Sequence, residues 1–279
     1  MKHKDIQQIL ASYDWKVFDD RGNPSLDLVS PLAYQDSLIR WIPQKNQPPT
    51  AAMHLYPIET PSILLGARDT RLPNFLEAAH FLENQGYQTL VRPHGGLAVV
   101  ADKGIANLSL VTNHAITPLC IDQAYQLMVG FIRYLLGKLH LQVESYEVPE
   151  SYCPGKYDLI VGGLKIGGIA QRRFKSGVTT AAYISINGNQ TLRADLLKEF
   201  YYLGKANEDY PDIQAEKMAT LQDFLPHILT VDDFNTLAKK ILEERATVQP
   251  GNFKDPLLQN IYQQRLLIGH ERLQRSFHS

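Results

Sequence analysis

The feature that most constrains the fold is a run of short strand-like segments near residues 141–146, 157–161, 164–173 and 178–186. The last three are separated only by Gly162-Gly163 and by Lys175-Ser176-Gly177. Turns this short join antiparallel neighbours, because parallel strands need a crossover of about a dozen residues or more. The sequence therefore predicts a sheet that contains hairpins.

Helical patterns are placed irregularly among the strands. Ser30-Pro31 is typical of a helix start, and Pro73 to Gln85 forms an amphipathic pattern that ends at Gly86. A third helix is predicted after Thr117-Pro118, with apolar residues at helical spacing: Ile121, Ala124, Met128, Phe131, Leu135 and Leu139. Because helices and strands do not alternate regularly, the predicted class is α+β, with a mixed, largely antiparallel sheet flanked by helices.

Further strands are predicted at 52–56, 62–66 and 107–112. Two more strand-like segments, 89–92 and 97–101, flank Pro93-His94-Gly95-Gly96, which predicts a hairpin between them.

The part of the chain after residue 191 is mainly helical in pattern, with helices predicted at 231–246 and 256–277 and a linker at 249–252. We therefore expect a catalytic domain over residues 30–205. Residues 206–279 are expected to form a helical C-terminal extension packed on that domain.

Composition excludes several function classes. A formal net charge of −1 argues against a broad surface for nucleic acid or anionic membrane. The first 20 residues contain no long apolar stretch, so neither a signal peptide nor a membrane span is expected, and a cytoplasmic protein is predicted. Cys120 and Cys153 are the two cysteines, which are too few for a disulfide framework or a cysteine-rich zinc site, and no metal is predicted.

The Gly95-Gly96 pair allows two interpretations. Without a Cβ the backbone can approach a ligand closely, and Arg92 nearby could bind an anion. The segment matches neither a P-loop nor a dinucleotide-binding motif, so a plain turn remains the alternative.

Either cysteine could be a nucleophile. Cys153 lies in the turn-forming loop Glu150-Ser151-Tyr152-Cys153-Pro154-Gly155, where reactive groups are often held. Cys120 lies at a helix start, where the dipole favours a thiolate, but Leu119 and Ile121 beside it predict burial. The residues alone favour Cys153 without excluding Cys120.

Three longer motifs carry a family resemblance. The stretches VRPHGGLAVVADKGIANLSL, DLIVGGLKIGGIAQRR and GVTTAAYISI resemble the lipoate-protein ligase and octanoyltransferase family over roughly residues 30–200. Where ligases of this family usually have RRxSGGG and a histidine-aspartate pair, this chain has His94, Leu97 and Ala101 at the variant positions. GGLAVV, SYCPGKYDL and GIAQRR are most similar to the amidotransferase branch, which uses a cysteine and no ATP.

The resemblance implies a fold, a chemistry and partners. The fold would be that of a biotin or lipoate protein ligase, and no cofactor would be needed. Cys153 would be the nucleophile that carries an octanoyl or lipoyl thioester, and Lys165 would face the acyl carbonyl. The donor would be the glycine cleavage H protein and the acceptor the E2 lipoyl domains of 2-oxoacid dehydrogenases. The expected substrate-binding residues are Arg92, His94, Gly95, Gly96, Leu97, Ala98, Asn107, Gly168 and Ala170, with Leu97, Val99 and Ala170 lining an acyl tunnel.

Three alternatives remain open at this point. The acyl donor could be octanoyl-acyl carrier protein, the enzyme could be an ATP-dependent lipoate-protein ligase, or the chain could be a non-catalytic module that binds carrier domains.

Overall fold

The computed structural model describes residues 3–22, 28–44 and 49–275, and within them the chain forms seven α-helices and eleven β-strands. The helices are α1 His3–Ala11, α2 Val29–Trp41, α3 Phe75–Asn84, α4 Ile121–Gly137, α5 Gln190–Leu203, α6 Val231–Glu243 and α7 Pro256–Arg275. The strands are β1 Asp14–Asp19, β2 Thr50–Leu55, β3 Ser62–Leu65, β4 Gln88–Val91, β5 Val99–Ala101, β6 Ile105–Asn113, β7 Glu144–Ser145, β8 Leu159–Val161, β9 Leu164–Phe174, β10 Gly177–Ser185 and β11 Thr247–Pro250.

Across these described residues, the strands form two sheets. The larger has eight strands in the order β11-β1-β2-β6-β10-β9-β8-β7, and the smaller has three in the order β4-β3-β5. In the larger sheet every pair from β2 to β7 is antiparallel, whereas β1 runs parallel to both β2 and β11. The predicted α+β class with a mixed, largely antiparallel sheet is confirmed, as are the hairpins β8-β9 and β9-β10.

The predicted hairpin between segments 89–92 and 97–101 is wrong. Both segments are strands, but β3 lies between them, parallel to β4 and antiparallel to β5. β3 pairs along both its edges, so the connection at 92–98 must cross its C-terminal end and span about two strand spacings, or roughly 10 Å. A wide loop replaces the tight turn, and this loop is free to reach other parts of the molecule.

The C-terminal region is also more closely joined to the sheet than a helical appendage would be. The predicted linker at 249–252 begins inside strand β11, which pairs with β1 at the edge of the larger sheet. Helix α7 packs along α2, and the last two residues of the predicted helix 256–277 lie outside the described residues. The larger sheet thus includes strands from before residue 30 and after residue 205; the division into a domain and an extension stays a prediction.

The two faces of the larger sheet have different coverings. Helices α1, α4 and α6 pack together on one face and bury a continuous apolar core with it. The other face is covered by α2 and by the smaller sheet with α3 and α5 behind it. The space between α2, the smaller sheet and this second face holds the cavity described below. In the part of the chain that is described, no helix has both the length and the apolar character to cross a membrane.

Burial along α4 follows the predicted stripe at Ala124, Met128, Phe131 and Leu135, but Ile121 is exposed, and Leu139 lies beyond the end of the helix and is half-buried. Phe131 is fully buried, whereas Ile121 at the first position is 60% exposed. We expect Phe131→Ala to lower the free energy of unfolding by about 3–5 kcal/mol, because it removes a ring from a close-packed core. Ile121→Ala should change it by about 0.5 kcal/mol or less. Urea denaturation of the two variants measures the difference, and equal effects would contradict this packing.

Candidate active site

Cys153 lies in the loop between β7 and β8 in an unusual backbone conformation. Its φ is +48°, in the left-handed region that is uncommon for residues other than glycine. The side chain is partly exposed, and the preceding Tyr152 is fully buried beneath it. A conformation of this kind persists only where surrounding contacts enforce it.

Lys165 on β9 supplies those contacts. Its Nζ donates hydrogen bonds of 2.9 Å to Ser151 Oγ and to the carbonyl oxygens of Tyr152 and Cys153. The side chain is 1% exposed. In this structure the ammonium therefore lies beneath the loop of residues 148–158, here called the cysteine loop, and holds its backbone.

Asp158 neutralises Lys165 and closes the loop from the other side. Its Oδ1 lies 3.0 Å from Lys165 Nζ, and its Oδ2 accepts hydrogen bonds from the backbone N–H groups of Val148 and Gly155. Burial raises the pKa of the carboxyl, while the ammonium of Lys165 opposes that rise. The segment 148–158 is thus wrapped around one buried ion pair, and removing either partner would leave an uncompensated buried charge.

Two donors from the 92–98 loop reach the sulfur. The backbone N–H of Leu97 donates to Cys153 Sγ at 3.2 Å, and Arg92 Nη2 lies 3.4 Å from the same atom while also donating to the Leu97 carbonyl at 2.7 Å. A guanidinium and an N–H dipole pointing at one sulfur stabilise negative charge on it. The loop that connects β4 to β5 thus brings a residue from each of its ends to the same sulfur atom.

Gly96 makes this approach possible. Its φ is +99°, and a Cβ placed there would lie 2.7 Å from Arg92 Nη2 and 2.9 Å from Cys153 Sγ. Gly95 differs, because no atom lies within 4 Å of the position of its Cβ.

The sulfur opens into a cavity of about 260 Å³ between α2, the smaller sheet and β6, β9 and β10. Of the residues that the sequence predicts for the site, it is lined by Cys153, Arg92, His94, Gly95, Gly96, Asn107, Gly168 and Ala170, together with Val99. Leu97 and Ala98 contribute backbone groups from behind the loop, and Lys165 lies under the cysteine loop rather than on the wall. The structure thus brings the predicted residues together in one place.

Small side chains make room on the floor of the cavity. Ala170 faces Ala181 across the β9-β10 ladder, and Gly168 faces Tyr183. A Cβ on Gly168 would lie 2.9 Å from the Tyr183 ring. With Leu32 and Leu64 on the opposite side, the cavity offers apolar surface to a chain-like ligand.

Several wall residues were not anticipated from the sequence. Tyr183, Asp158, Gln35 and Tyr56 all line the cavity. Asp158 lies inside the SYCPGKYDL motif, which was the available signal for it. The others come from α2, β10 and the end of β2, and their convergence depends on strand register and on the docking of α2.

His94 is a neutral group on the cavity wall. Burial, helped by the positive charges of Arg92 and Arg172, lowers its pKa from 6.5 to about 3. Among the described contacts its Nε2 has no hydrogen-bond partner. At neutral pH the ring can therefore offer a hydrogen bond without carrying charge.

The prediction that Cys120 is buried is wrong. Cys120 is exposed and forms the N-cap of α4, where its backbone N–H donates to Gln123 Oε1 at 2.9 Å. Helix α4 begins at Ile121, and its first buried residue is Ala124. Cys120 and the first turn of the helix are therefore exposed to solvent. Nothing in the described residues groups three or more histidine, cysteine or acidic side chains as a metal site.

Gly96→Ala should separate the roles of the two loop glycines. We expect the variant to react with iodoacetamide at Cys153 about tenfold more slowly, because an alanine at this φ costs about 1–3 kcal/mol and its methyl group displaces the Arg92 guanidinium. Gly95→Ala should have a much smaller effect. Mass spectrometry in a Cys120→Ser background follows the reaction, and equal rates for the two variants would contradict the geometry.

His94 should make stability depend on pH. Its pKa is lower in the folded protein than in the unfolded chain, so its stabilising contribution is complete above about pH 6.5 and is lost as the pH falls toward 3. Between pH 6.5 and 4.5, the free energy of unfolding of the wild type should fall by up to about 1.4 kcal/mol per pH unit more than that of His94→Gln. Denaturation at several pH values tests this, with exposed His80→Gln as the control expected to follow the wild type.

Relatives of known name align with most of the chain. An octanoyl-[GcvH]:protein N-octanoyltransferase of Bacillus velezensis is 36% identical over 232 residues, covering 81% of this chain and 80% of that protein. A lipoyl-[GcvH]:protein N-lipoyltransferase of Listeria monocytogenes is 34% identical over 233 residues, covering 81% of this chain and 83% of that protein.

Solved structures share the fold. Lipoate-protein ligase A bound with ATP superposes with a TM-score of 0.70 at 16% identity, covering 91% of this chain and 94% of that chain. The family model of the lipoyl protein ligase A/B catalytic domain matches residues 27–243. The chain therefore belongs to the lipoyl protein ligase A/B catalytic domain family.

Proposed function

We propose that this protein transfers an octanoyl or lipoyl group from a lysine of the glycine cleavage H protein to a lysine of E2 lipoyl domains, through a thioester on Cys153. One observation carries the proposal: a sulfur held by Arg92 and the Leu97 N–H at the mouth of a largely apolar cavity. The names of the two transferase relatives support the H protein as donor.

The first half-reaction exchanges an amide for a thioester. The Cys153 thiolate attacks the carbonyl carbon of the acyl-lysine, a carbon–sulfur bond forms, and the electron pair moves to the carbonyl oxygen. When this intermediate collapses the carbon–nitrogen bond breaks, and the donor lysine takes up a proton and leaves as an amine. Attack by the acceptor lysine reverses these steps and frees the thiolate. One amide replaces another, so the exchange requires no ATP.

Arg92 and the Leu97 N–H can act both before and after the sulfur is acylated. Before acylation Arg92 and the Leu97 N–H stabilise the sulfur anion. Once the sulfur carries the acyl group it is a poor hydrogen-bond acceptor, and these donors can then bind the adjacent carbonyl oxygen, where charge develops.

Lys165 contacts the backbone of Cys153 in the structure, whereas its predicted role is to face the acyl carbonyl. Its Nζ supports the left-handed backbone at Cys153, and the direct role toward the acyl carbonyl would require Nζ to leave the Cys153 carbonyl oxygen. Asp158 would then remain its nearest charge. A cytoplasmic location is part of the proposal, because a reactive thiol needs a reducing compartment.

Cys153→Ala should abolish acyl transfer. We expect mass spectrometry of the wild type mixed with octanoylated H protein to show one octanoyl adduct on the tryptic peptide that contains Cys153. Cys120→Ser should form the adduct and transfer the acyl group as the wild type does, because the Cys120 side chain is exposed and does not line the cavity. Transfer by Cys153→Ala at the wild-type rate would refute the thioester route.

The choice of donor separates the proposal from its rivals. Octanoylated H protein, octanoyl-acyl carrier protein and free octanoate are each supplied with and without ATP. Transfer from H protein alone, independent of ATP, is expected. Transfer only from the acyl carrier protein, or only from free acid with ATP, would replace the proposal with a different transferase or with a ligase. Binding of carrier domains without any transfer would indicate a non-catalytic module.

A further inference from the structure

A chain of buried hydrogen bonds lies behind the loop that contacts the sulfur. The backbone N–H of Ala98 donates to Tyr201 Oη at 3.2 Å, and Tyr201 Oη donates to Asp69 Oδ1 at 3.0 Å. The second carboxylate oxygen of Asp69 accepts the backbone N–H of Gly66 at 2.7 Å. Ala98 and Asp69 are fully buried and Tyr201 is 4% exposed, so water cannot replace these partners.

These hydrogen bonds end one residue away from the group that contacts the sulfur. The peptide that joins Leu97 to Ala98 follows the Leu97 N–H, which lies 3.2 Å from Cys153 Sγ. On the far side of the loop, a Cβ on Gly66 would lie 1.9 Å from the Gly96 carbonyl oxygen, so the two backbones are in direct contact. Asp69 therefore fixes the turn at Gly66 and, through Tyr201, the residue after Leu97.

We propose that Asp69 and Tyr201 are positioning residues that hold the Leu97 N–H against Cys153 Sγ. The inference rests on the proposed role of Cys153 as nucleophile. Neither side chain lines the cavity, so they act through the loop and do not contact the acyl group.

The charge on Asp69 fits this role. Burial raises the pKa of its carboxyl to about 6, while the Gly66 N–H, Tyr201 and the positive charges of Arg92 and Arg68 oppose that rise. Above that pH the carboxylate is ionised and is a stronger acceptor than a neutral group.

Tyr201→Phe tests the proposal with the smallest change. It removes one oxygen and keeps the ring, which packs edge-on against Phe200. In a Cys120→Ser background, we expect Cys153 to react with iodoacetamide about three- to tenfold more slowly at pH 7, with the midpoint of the pH–rate profile moved to higher pH, because the Leu97 N–H is no longer held at the sulfur. Other ionisable groups near the sulfur, namely Arg92, His94, Tyr125, Tyr183 and the pair Lys165–Asp158, are unchanged, whereas Asp69 loses the hydrogen bond from Tyr201.

Tyr202→Phe is the matched control, since its side chain is 76% exposed. It should react and transfer as the wild type does. If Tyr201→Phe lowers the melting temperature but leaves the pH–rate profile of Cys153 unchanged, the residue is only structural and the proposal is overturned.

Asp69→Asn provides a second, independent variant. The amide oxygen can still accept the Gly66 N–H, and the amide nitrogen can donate to Tyr201, so the loop keeps its anchor without the charge. We expect Asp69→Asn to lose less Cys153 reactivity than Tyr201→Phe does. Asp69→Ala should lose more reactivity than Asp69→Asn, because both contacts of the carboxylate disappear. Wild-type reactivity in Asp69→Ala would overturn the proposal. Because alkylation reports on the thiol without acyl transfer, a failure here is distinct from a failure of the proposed reaction.

Discussion

The buried ion pair between Lys165 and Asp158 is the interaction on which the site depends. The ammonium of Lys165 on β9 donates hydrogen bonds to carbonyl oxygens of the cysteine loop, and the carboxylate of Asp158 accepts hydrogen bonds from N–H groups of the same loop. The loop therefore needs no regular secondary structure of its own to satisfy its polar groups. The left-handed backbone at Cys153 is the local strain that these contacts maintain, and it places the thiol where the second loop can reach it.

The second loop depends on a topological feature of the smaller sheet. Because β3 pairs on both edges, residues 92–98 must cross its end, and the crossing brings Arg92 and Leu97 to the sulfur. Glycine at position 96 is needed for two reasons at once, since its φ is positive and a Cβ would strike both the guanidinium and the thiol. The site is thus the meeting point of two loops, each fixed by the sheet to which it belongs.

A thiol held in this way combines partial exposure with fixed donors. Several small residues of β9 and β10, among them Gly168, Ala170 and Ala181, line the cavity beside it and leave room for a saturated chain. The polar side chains on the wall include the neutral His94, Arg92, Gln35, Asn107 and Asp158. Apolar surface for a chain and polar donors at the sulfur fit the proposed acyl transfer.

The sequence by itself determined the class of fold, the hairpins of β8, β9 and β10, and the loop in which Cys153 lies, because turn chemistry and periodicity are local signals. It also pointed to Gly96 and Arg92, although the motif did not show that their partner is the sulfur. Only the tertiary structure decided that β4 and β5 are not a hairpin, that Cys120 is exposed, and that Lys165 lies beneath the loop. The docking of Tyr201 against Asp69 and Ala98 depends on contacts between residues more than a hundred positions apart. Strand order likewise depends on pairings between segments that are distant in the chain, and such contacts leave no pattern in a single sequence.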